Sequence, residues 1–543
     1  MRYGRQGRRP VRPAVLALHP GDVSLTTALG AVLAMGAPLL ALTLAGHPRD
    51  AVFAAFGSFT GLYGGDLPCR PRAIRLGAVG CAFVAAVILG GTAGPLAGTW
   101  VWAVAIAVVA AVAKYSCDAA RIGAPGAWMF VFTFAASIPA AGAVGELPRH
   151  ALLAAGGAAV AWFVALLPAL RDPLGPARRA TALALERTAD VLGAGDTAAP
   201  RIRHHAHTVL DRAVSYVRQA PVGIRVPLWL ALEHAEDLLV DAVLSPATGA
   251  HPAEALALRR SAMHLRRSRG RPAWRGPVAV TVGAAGSHAG PVVPHPLRGT
   301  RWSPGYERTA RLARSARGFA AAGVAATMSL ALDMGHPYWA PVSATAVLQS
   351  GHARMAWHRG LQRGTGTAVG LLLAALLLEF HPRPLALAVL VVALQLAAQS
   401  FTGRNYALGV VFITPLTMLL SELLQSSPAR ALLWDRFGGV ALGILVALIG
   451  VLLVPHPDST SLLRRAIDRC DAALTAALAG DVDVRITSRE LRDALVELRA
   501  AEDVARSAAW PDRIPRSSVA DLELRAFQAL AENRSRLADR THR

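Results

Sequence analysis

Two long stretches of the sequence, about residues 25–170 and 318–455, consist of apolar windows separated by short polar breaks. Several of these windows are long enough to cross a ~30 Å hydrocarbon core. That pattern leaves little choice of fold. Backbone groups in lipid find no water, so a crossing segment satisfies them within a helix or around a closed barrel. Segments such as LTTALGAVLAMGAPLLALTLAG and GGVALGILVALIGVLLV are apolar on every side and do not alternate, which selects helices. Only 17% of the residues are charged, against about 25% in an ordinary soluble protein.

The first block reads as six spans, at 25–45, 51–64, 76–96, 99–117, 127–144 and 150–170. The second reads as 318–333, 338–350, 364–380, 384–400, 405–424 and 437–455. The second and eighth spans are too short for straight crossings and suit tilted, broken or re-entrant elements. The fold class is therefore an all-α polytopic membrane protein, with two parallel six-span repeats (about 12 transmembrane helices) and helical cytoplasmic regions. GHPRD at 46–50 and GHPYW at 335–339 differ by 289 residues, as do Arg70 and Arg359, and Gly77 and Gly366. Arg149 and Arg436, each seven residues before a glycine, differ by 287. An even number of spans per copy makes the repeat parallel, with its pseudo-two-fold along the membrane normal.

Arginine sets the orientation. With the N-terminus inside, the short inner loops hold Arg70, Arg72, Arg75, Arg121, Arg354, Arg359, Arg363 and Arg404. The outer ones hold Arg49, Arg149, Arg383, Arg430 and Arg436. The positive-inside bias places both termini in the cytoplasm of a multi-pass protein of the cytoplasmic membrane. The domains are then a basic N-terminus (1–24), a first membrane repeat (25–170) and a cytoplasmic helical region (171–317). A second membrane repeat (318–455) and a cytoplasmic helical tail (456–543) follow. Residues 270–305 form a Gly/Pro-rich linker, and Thr487 with Glu490 fits a capping box in the tail.

Several function classes drop out. Lys114 is the one lysine, and Tyr115 follows it, so no Walker A loop exists to bind nucleotide phosphates. Four scattered cysteines offer neither a disulfide framework nor a zinc cluster. The first twenty residues carry five arginines without an apolar core, unlike a cleavable signal peptide. No catalytic motif, cofactor or metal site is read, and the chain is not taken for an enzyme. Its net charge of +21 is assigned to arginine facing anionic lipid, not to nucleic acid.

The polar groups inside the apolar blocks point to a pathway. In MGHPYWAPVSATAVLQ, Pro341 is expected to interrupt a short element that carries Ser343, Thr345 and Gln349, with Tyr338 and Trp339 at its outer end. NYALGVVFITPLT adds Asn405, Tyr406, Thr414 and Thr417. Such residues line a cavity around a broken helix, or else they only pack helices and anchor interfaces. Arg359, Arg363 and Arg436 are the candidates for anion recognition, with topology or snorkelling as their alternative duty. The acidic residues of the blocks lie near span ends, so no proton-coupling group stands out; His47 and His336 could titrate.

The arrangement YWAPVSATAVLQ…R…R…RGTGTAVG, with later NYALGVVFITPLT and DRFGGVALG, resembles the fusaric acid resistance protein-like family of integral membrane transporter domains. The resemblance covers Tyr338 to Gly370 and Asn405 to Gly443, while the first block lacks the Gly-Thr pair and has HPRDAVFAAFGSF instead. It implies efflux of organic anions, with aromatic or other weak carboxylic acids as substrates. The expectation is a secondary active exporter whose partners are a small organic anion and the lipid bilayer. Proton coupling and homo-oligomerisation stay open, as do a passive anion channel and a membrane scaffold in envelope maintenance.

Overall fold

The computed structural model describes residues 25–65, 67, 69–96, 99–123, 125–140, 144–172, 174–194, 200–218, 222–244, 251–267, 304–349, 353–424, 428–453, 459–479, 484–506 and 516–541. The N-terminal segment 1–24 and nearly all of the 270–305 linker lie outside them. Among the described residues regular structure is helical throughout. The first six helices are α1 (Leu25–Leu44), α2 (Pro48–Ser58), α3 (Cys69–Leu96), α4 (Thr99–Ala119), α5 (Trp128–Ala140) and α6 (Leu147–Arg171). Next come α7 (Gly175–Ala194), α8 (Pro200–Arg218), α9 (Val222–Leu244) and α10 (Pro252–Arg267). A second membrane series follows as α11 (Pro304–Ala331), α12 (Trp339–Val347), α13 (Ala353–Glu379), α14 (Pro384–Thr402), α15 (Tyr406–Leu424) and α16 (Ala429–Leu453). The tail forms α17 (Ser459–Ala479), α18 (Val484–Arg506) and α19 (Arg516–Thr541).

The chain divides into two compact units. The first holds Met1–Asp66, Arg70–Leu167 and Gly305–Pro457. It is a multi-pass membrane unit: among the described residues seven helices, α3, α4, α6, α13, α14, α15 and α16, are long and apolar enough to cross a bilayer. The apolar parts of α1 and α5 are shorter, at Ala28–Leu44 and Trp128–Pro139. The start of α11 carries Arg308, Arg311, Arg314 and Arg317, so its apolar part begins only near Gly318.

Helices α2 and α12 are the exceptions that organise the unit. At ~1.5 Å per residue, their 11 and 9 residues extend about 16 and 14 Å, well short of the ~30 Å core. Both are enclosed by protein: Ala51 to Ser58 and Trp339 to Val347 are buried without a break. The long helices instead turn side chains such as Val104, Leu372 and Leu445 outward, as lipid contact requires. Pro341 does not interrupt its helix as expected from sequence. It sits in the first turn of α12, after the N-cap Tyr338, where its missing N–H leaves no bond unmade.

Small residues let the buried helices touch. A Cβ on Gly157 would lie 1.9 Å from the Ala54 carbonyl oxygen, and one on Gly443 would lie 2.3 Å from that of Ala340. So α2 lies on α6, and α12 on α16, backbone against backbone. Gly370 does the same for α13 against α15, its virtual Cβ 2.8 Å from the Thr414 Cβ. The two membrane series also pack against each other through α1 with α14, α2 with α15, and α5 with α12.

The second unit comprises Leu67–Cys69, Pro168–Pro304 and Asp458–Arg543. Leu185, Leu210, Leu232 and Leu258 centre one apolar core, and Leu474, Leu491, Leu498 and Leu522 centre another. Arg492 pairs with Glu236 at 3.0 Å, and burial still pushes the Glu236 carboxyl above the ordinary carboxylate range. The capping box expected at Thr487 is absent: α18 begins earlier, at Val484, and the Thr487 hydroxyl donates to the Val484 carbonyl. Helix spacing alone does not distinguish a cap from a first-turn threonine.

Candidate functional site

The short α12 brings Trp339 into the middle of the membrane unit, fully buried. The Arg436 guanidinium, from the second turn of α16, lies 3.6 Å from the centroid of the Trp339 ring. Arg436 is 3% exposed. It is neither a snorkelling residue nor an interface anchor. Its Nε and one Nη have no hydrogen-bond partner.

Arg363 joins this site from α13. The sequence reading places it in an inner loop before a span, but α13 starts at Ala353 and buries Arg363 to 3% exposure. One Nη donates to the Ser343 hydroxyl at 3.3 Å and the other to the Tyr406 hydroxyl at 3.3 Å. Its guanidinium is 5.7 Å from the centroid of Trp128, which α5 supplies from the other membrane series. The Nε of Arg363 is unpartnered, as are Trp339 Nε1 and the Thr367 and Thr414 hydroxyls. Both guanidiniums meet α12, Arg436 at Trp339 and Arg363 at Ser343, about one helical turn further on.

Among the described residues no carboxylate pairs with either guanidinium. Asp435, next to Arg436 in sequence, is taken by His336, at 2.7 Å from Nδ1 to Oδ2. Burying a guanidinium costs several kcal/mol unless an opposite charge compensates. Here hydroxyls and ring faces supply part of that, and unpartnered N–H donors remain. An arrangement of this kind is chemically suited to a carboxylate, which takes two parallel N–H bonds from one guanidinium fork.

The other residues singled out from the sequence divide clearly. Tyr338 is buried beside Trp339. Thr345 spends its hydroxyl on the Pro341 carbonyl at 2.8 Å, and Thr417 spends its own on Thr414 at 2.9 Å. Asn405 caps α15, accepting from the Ala407 N–H at 2.8 Å. Gln349 donates to the Pro125 carbonyl. Arg359 stays half-buried, its guanidinium 5.8 Å from the Tyr406 ring. The structure thus gathers Tyr338, Trp339, Ser343, Arg363, Tyr406 and Arg436; Thr345, Asn405 and Thr417 bond their own helix or cap, Gln349 reaches Pro125, and Thr414 packs against Gly370.

Sequence reasoning missed Trp128, an aromatic at a span end that looks like part of an interface belt. It also missed a second stacked pair, on α2 and α6. There the His150 ring lies parallel to Phe53, at 3.8 Å and 11°. Asp50 and Arg149 form an ion pair beside it. From Phe53, ring contacts run to Phe56 at 6.1 Å, Phe132 at 5.9 Å and Trp339 at 5.8 Å.

Residues 323–450 match the family described as fusaric acid resistance protein-like, a stretch that contains Trp339, Arg363 and Arg436. The chain is also similar to the uncharacterized membrane protein YvaC of Bacillus subtilis (strain 168). The two are 25% identical over 563 residues, covering 92% of this chain and 85% of that protein. No solved structure matches the chain. No group of three or more His, Cys, Asp or Glu among the described residues is placed to hold a metal ion.

Proposed function

We propose that the chain is a secondary active exporter of organic anions, of the aromatic or other weak carboxylic acid class, with Arg363 and Arg436 as its recognition pair. One observation carries this reading: two guanidiniums deep in a membrane unit, stacked near tryptophans and without a carboxylate partner. Intramembrane charge is costly and marks a transport pathway. Trp128, Trp339 and Tyr406 offer ring faces to the apolar part of an aromatic acid while the guanidiniums take its carboxylate. The match of residues 323–450 supports the same function.

The test uses everted membrane vesicles with labelled benzoate and an acid lumen. Passive movement of the undissociated acid drives benzoate out of an acid compartment, so accumulation there reports an active exporter. Equilibration without accumulation identifies a passive anion channel. No benzoate movement above empty vesicles removes the export reading for this acid.

Within this reading the membrane unit is two parallel repeats, α1–α6 and α11–α16, each with a short second helix. Matching contacts support the copy relation and set its register. Ala54 to Ala340 and Gly157 to Gly443, the backbone-contact pairs, both step by 286 residues. Phe53 to Trp339 and His150 to Arg436, the stacked pairs, step by 286 as well. So do Asp50 to His336 and Arg149 to Asp435, an ion pair with its charges exchanged. This register replaces the 289 and 287 offsets of the matching motifs.

Two results follow. Counting α2 and α12, each with the residues that follow it, as one crossing gives even numbers before Ala198 and Leu530, so reporter fusions at both give cytoplasmic activity; a fusion reporting from outside would overturn the parallel arrangement. Thr345→Val leaves benzoate accumulation within about twofold of wild type, because the lost hydroxyl bonds only the Pro341 carbonyl of its own helix. A loss beyond tenfold at equal protein level would show that Thr345 meets the substrate.

A further inference from the structure

We infer that His150 is a proton-binding site that couples proton entry to anion release at Arg436. This rests on the export reading, and it starts from the stacked pairs. In the 286-residue register His150 on Phe53 stands where Arg436 on Trp339 stands. The second copy thus holds a permanently charged guanidinium on its ring, and the first holds an imidazole that is charged only when protonated. The repeat has kept the geometry and made one of the two charges conditional.

His150 is 7% exposed near the start of α6, one residue from the exposed side chain of Arg149. On its own side it meets Glu146, whose Oε2 is 4.0 Å from Nε2, and Arg149. From α2 it meets Asp50, which is paired with Arg149 and lies 3.9 Å from His47; Arg49 is exposed. Burial and the Arg149 guanidinium oppose a charge on the imidazole, while Glu146, Asp50 and the Phe53 ring face favour one. Two other acids of the membrane unit are already engaged, Asp118 by Lys114 at 2.6 Å and Arg314 at 2.8 Å, and Asp435 by His336.

A physical route joins the two sites. The ring contacts from Phe53 through Phe56 and Phe132 end on Trp339, the ring beneath Arg436. Protonation strengthens the hold of His150 on Phe53, and a shift of these packed rings changes the face that Trp339 presents to Arg436. Contiguity alone does not establish coupling, so the test breaks the array in the middle as well as at its end.

Everted vesicles with an acid lumen expose the outer face of the protein to the proton supply. Benzoate accumulation reports coupled transport, and exchange of labelled for unlabelled benzoate without a gradient reports anion translocation alone. His150→Gln is expected to lower accumulation at least tenfold while exchange stays within twofold of wild type. Phe132→Leu, with His150 intact, is expected to give the same split. Wild-type accumulation in His150→Gln overturns the proton site, and so does parallel loss of accumulation and exchange. Retained accumulation in Phe132→Leu overturns the ring array as the route. If wild-type vesicles neither accumulate nor exchange benzoate, the export reading itself has failed, an outcome visible without either variant.

Discussion

Vesicles carrying Arg436→Gln accumulate no benzoate above empty-vesicle background, although the variant is inserted at the wild-type level. The guanidinium lies on Trp339 with unpartnered N–H donors, and among the described residues no carboxylate pairs with it. Removing it takes away the charge-assisted bonds an anion would make, about 1.5–3 kcal/mol each. Arg436→Lys keeps the charge but loses the planar fork and its stacking. It raises the concentration for half-maximal export by about 10-fold or more, each factor of ten being about 1.4 kcal/mol. Arg363→Gln is expected to match Arg436→Gln, because Arg363 holds Ser343 and Tyr406 in place as well as contributing charge. Arg359→Lys stays near wild type, since Arg359 is only half-buried and meets the cluster only at the Tyr406 ring.

Stability should move the other way. An uncompensated buried charge opposes folding, so Arg436→Met should unfold at a higher temperature in detergent than wild type while exporting nothing. Unchanged concentration dependence in the Lys variants of both Arg363 and Arg436 would sink the recognition pair and turn attention to the hydroxyls of Thr367 and Thr414.

The second large effect is structural. Gly443→Ala abolishes the folded protein recovered in mild detergent, whereas Gly450→Ala, on the same helix, does not. An added Cβ at Gly443 would sit 2.3 Å from the Ala340 carbonyl oxygen and 2.7 Å from the Ser343 Cβ. Nothing lies within 4 Å of one at Gly450. Alanine in a helix interior gains up to about 1 kcal/mol over glycine, so the chemistry of the two changes is the same and only the neighbour differs. Overpacking of this kind costs about 1–3 kcal/mol, or more where backbone must move. The nine-residue α12 is enclosed on every side, so moving it also displaces Trp339 and Ser343 from the arginines. Equal recovery of the two variants would mean that α12 and α16 do not meet in this way.

Helical membrane character was legible in the sequence because it depends on local properties. Hydropathy and the need to satisfy backbone groups inside lipid act within one segment, so the spans at 384–400 and 405–424 fall within a few residues of α14 and α15. Polar residues were harder to place. Asn405, Thr345 and Thr417 are hydrophilic residues in an apolar block, and each turns out to bond its own helix or cap. Hydrogen-bonding capacity can be read from a residue type, but its use depends on what lies within reach.

The convergence of Arg363 and Arg436 depended on long-range packing. Arg363 looked like an inner-side topology residue and Arg436 like a residue at the outer end, and neither position names Trp339 or Trp128 as a neighbour. They meet because a short helix starting at Tyr338 is seated by Gly439 and Gly443 against α16. Register followed the same logic. In the proposed two-repeat reading the shared Gly-His-Pro motif aligns at 289 residues, but the close-packed helices align at 286. Identity between loop residues carries no packing constraint, so the loop before a short helix can shift its motif by three residues. A glycine pressed against a carbonyl oxygen cannot shift at all without separating the helices, and such contacts exist only once both helices are in place.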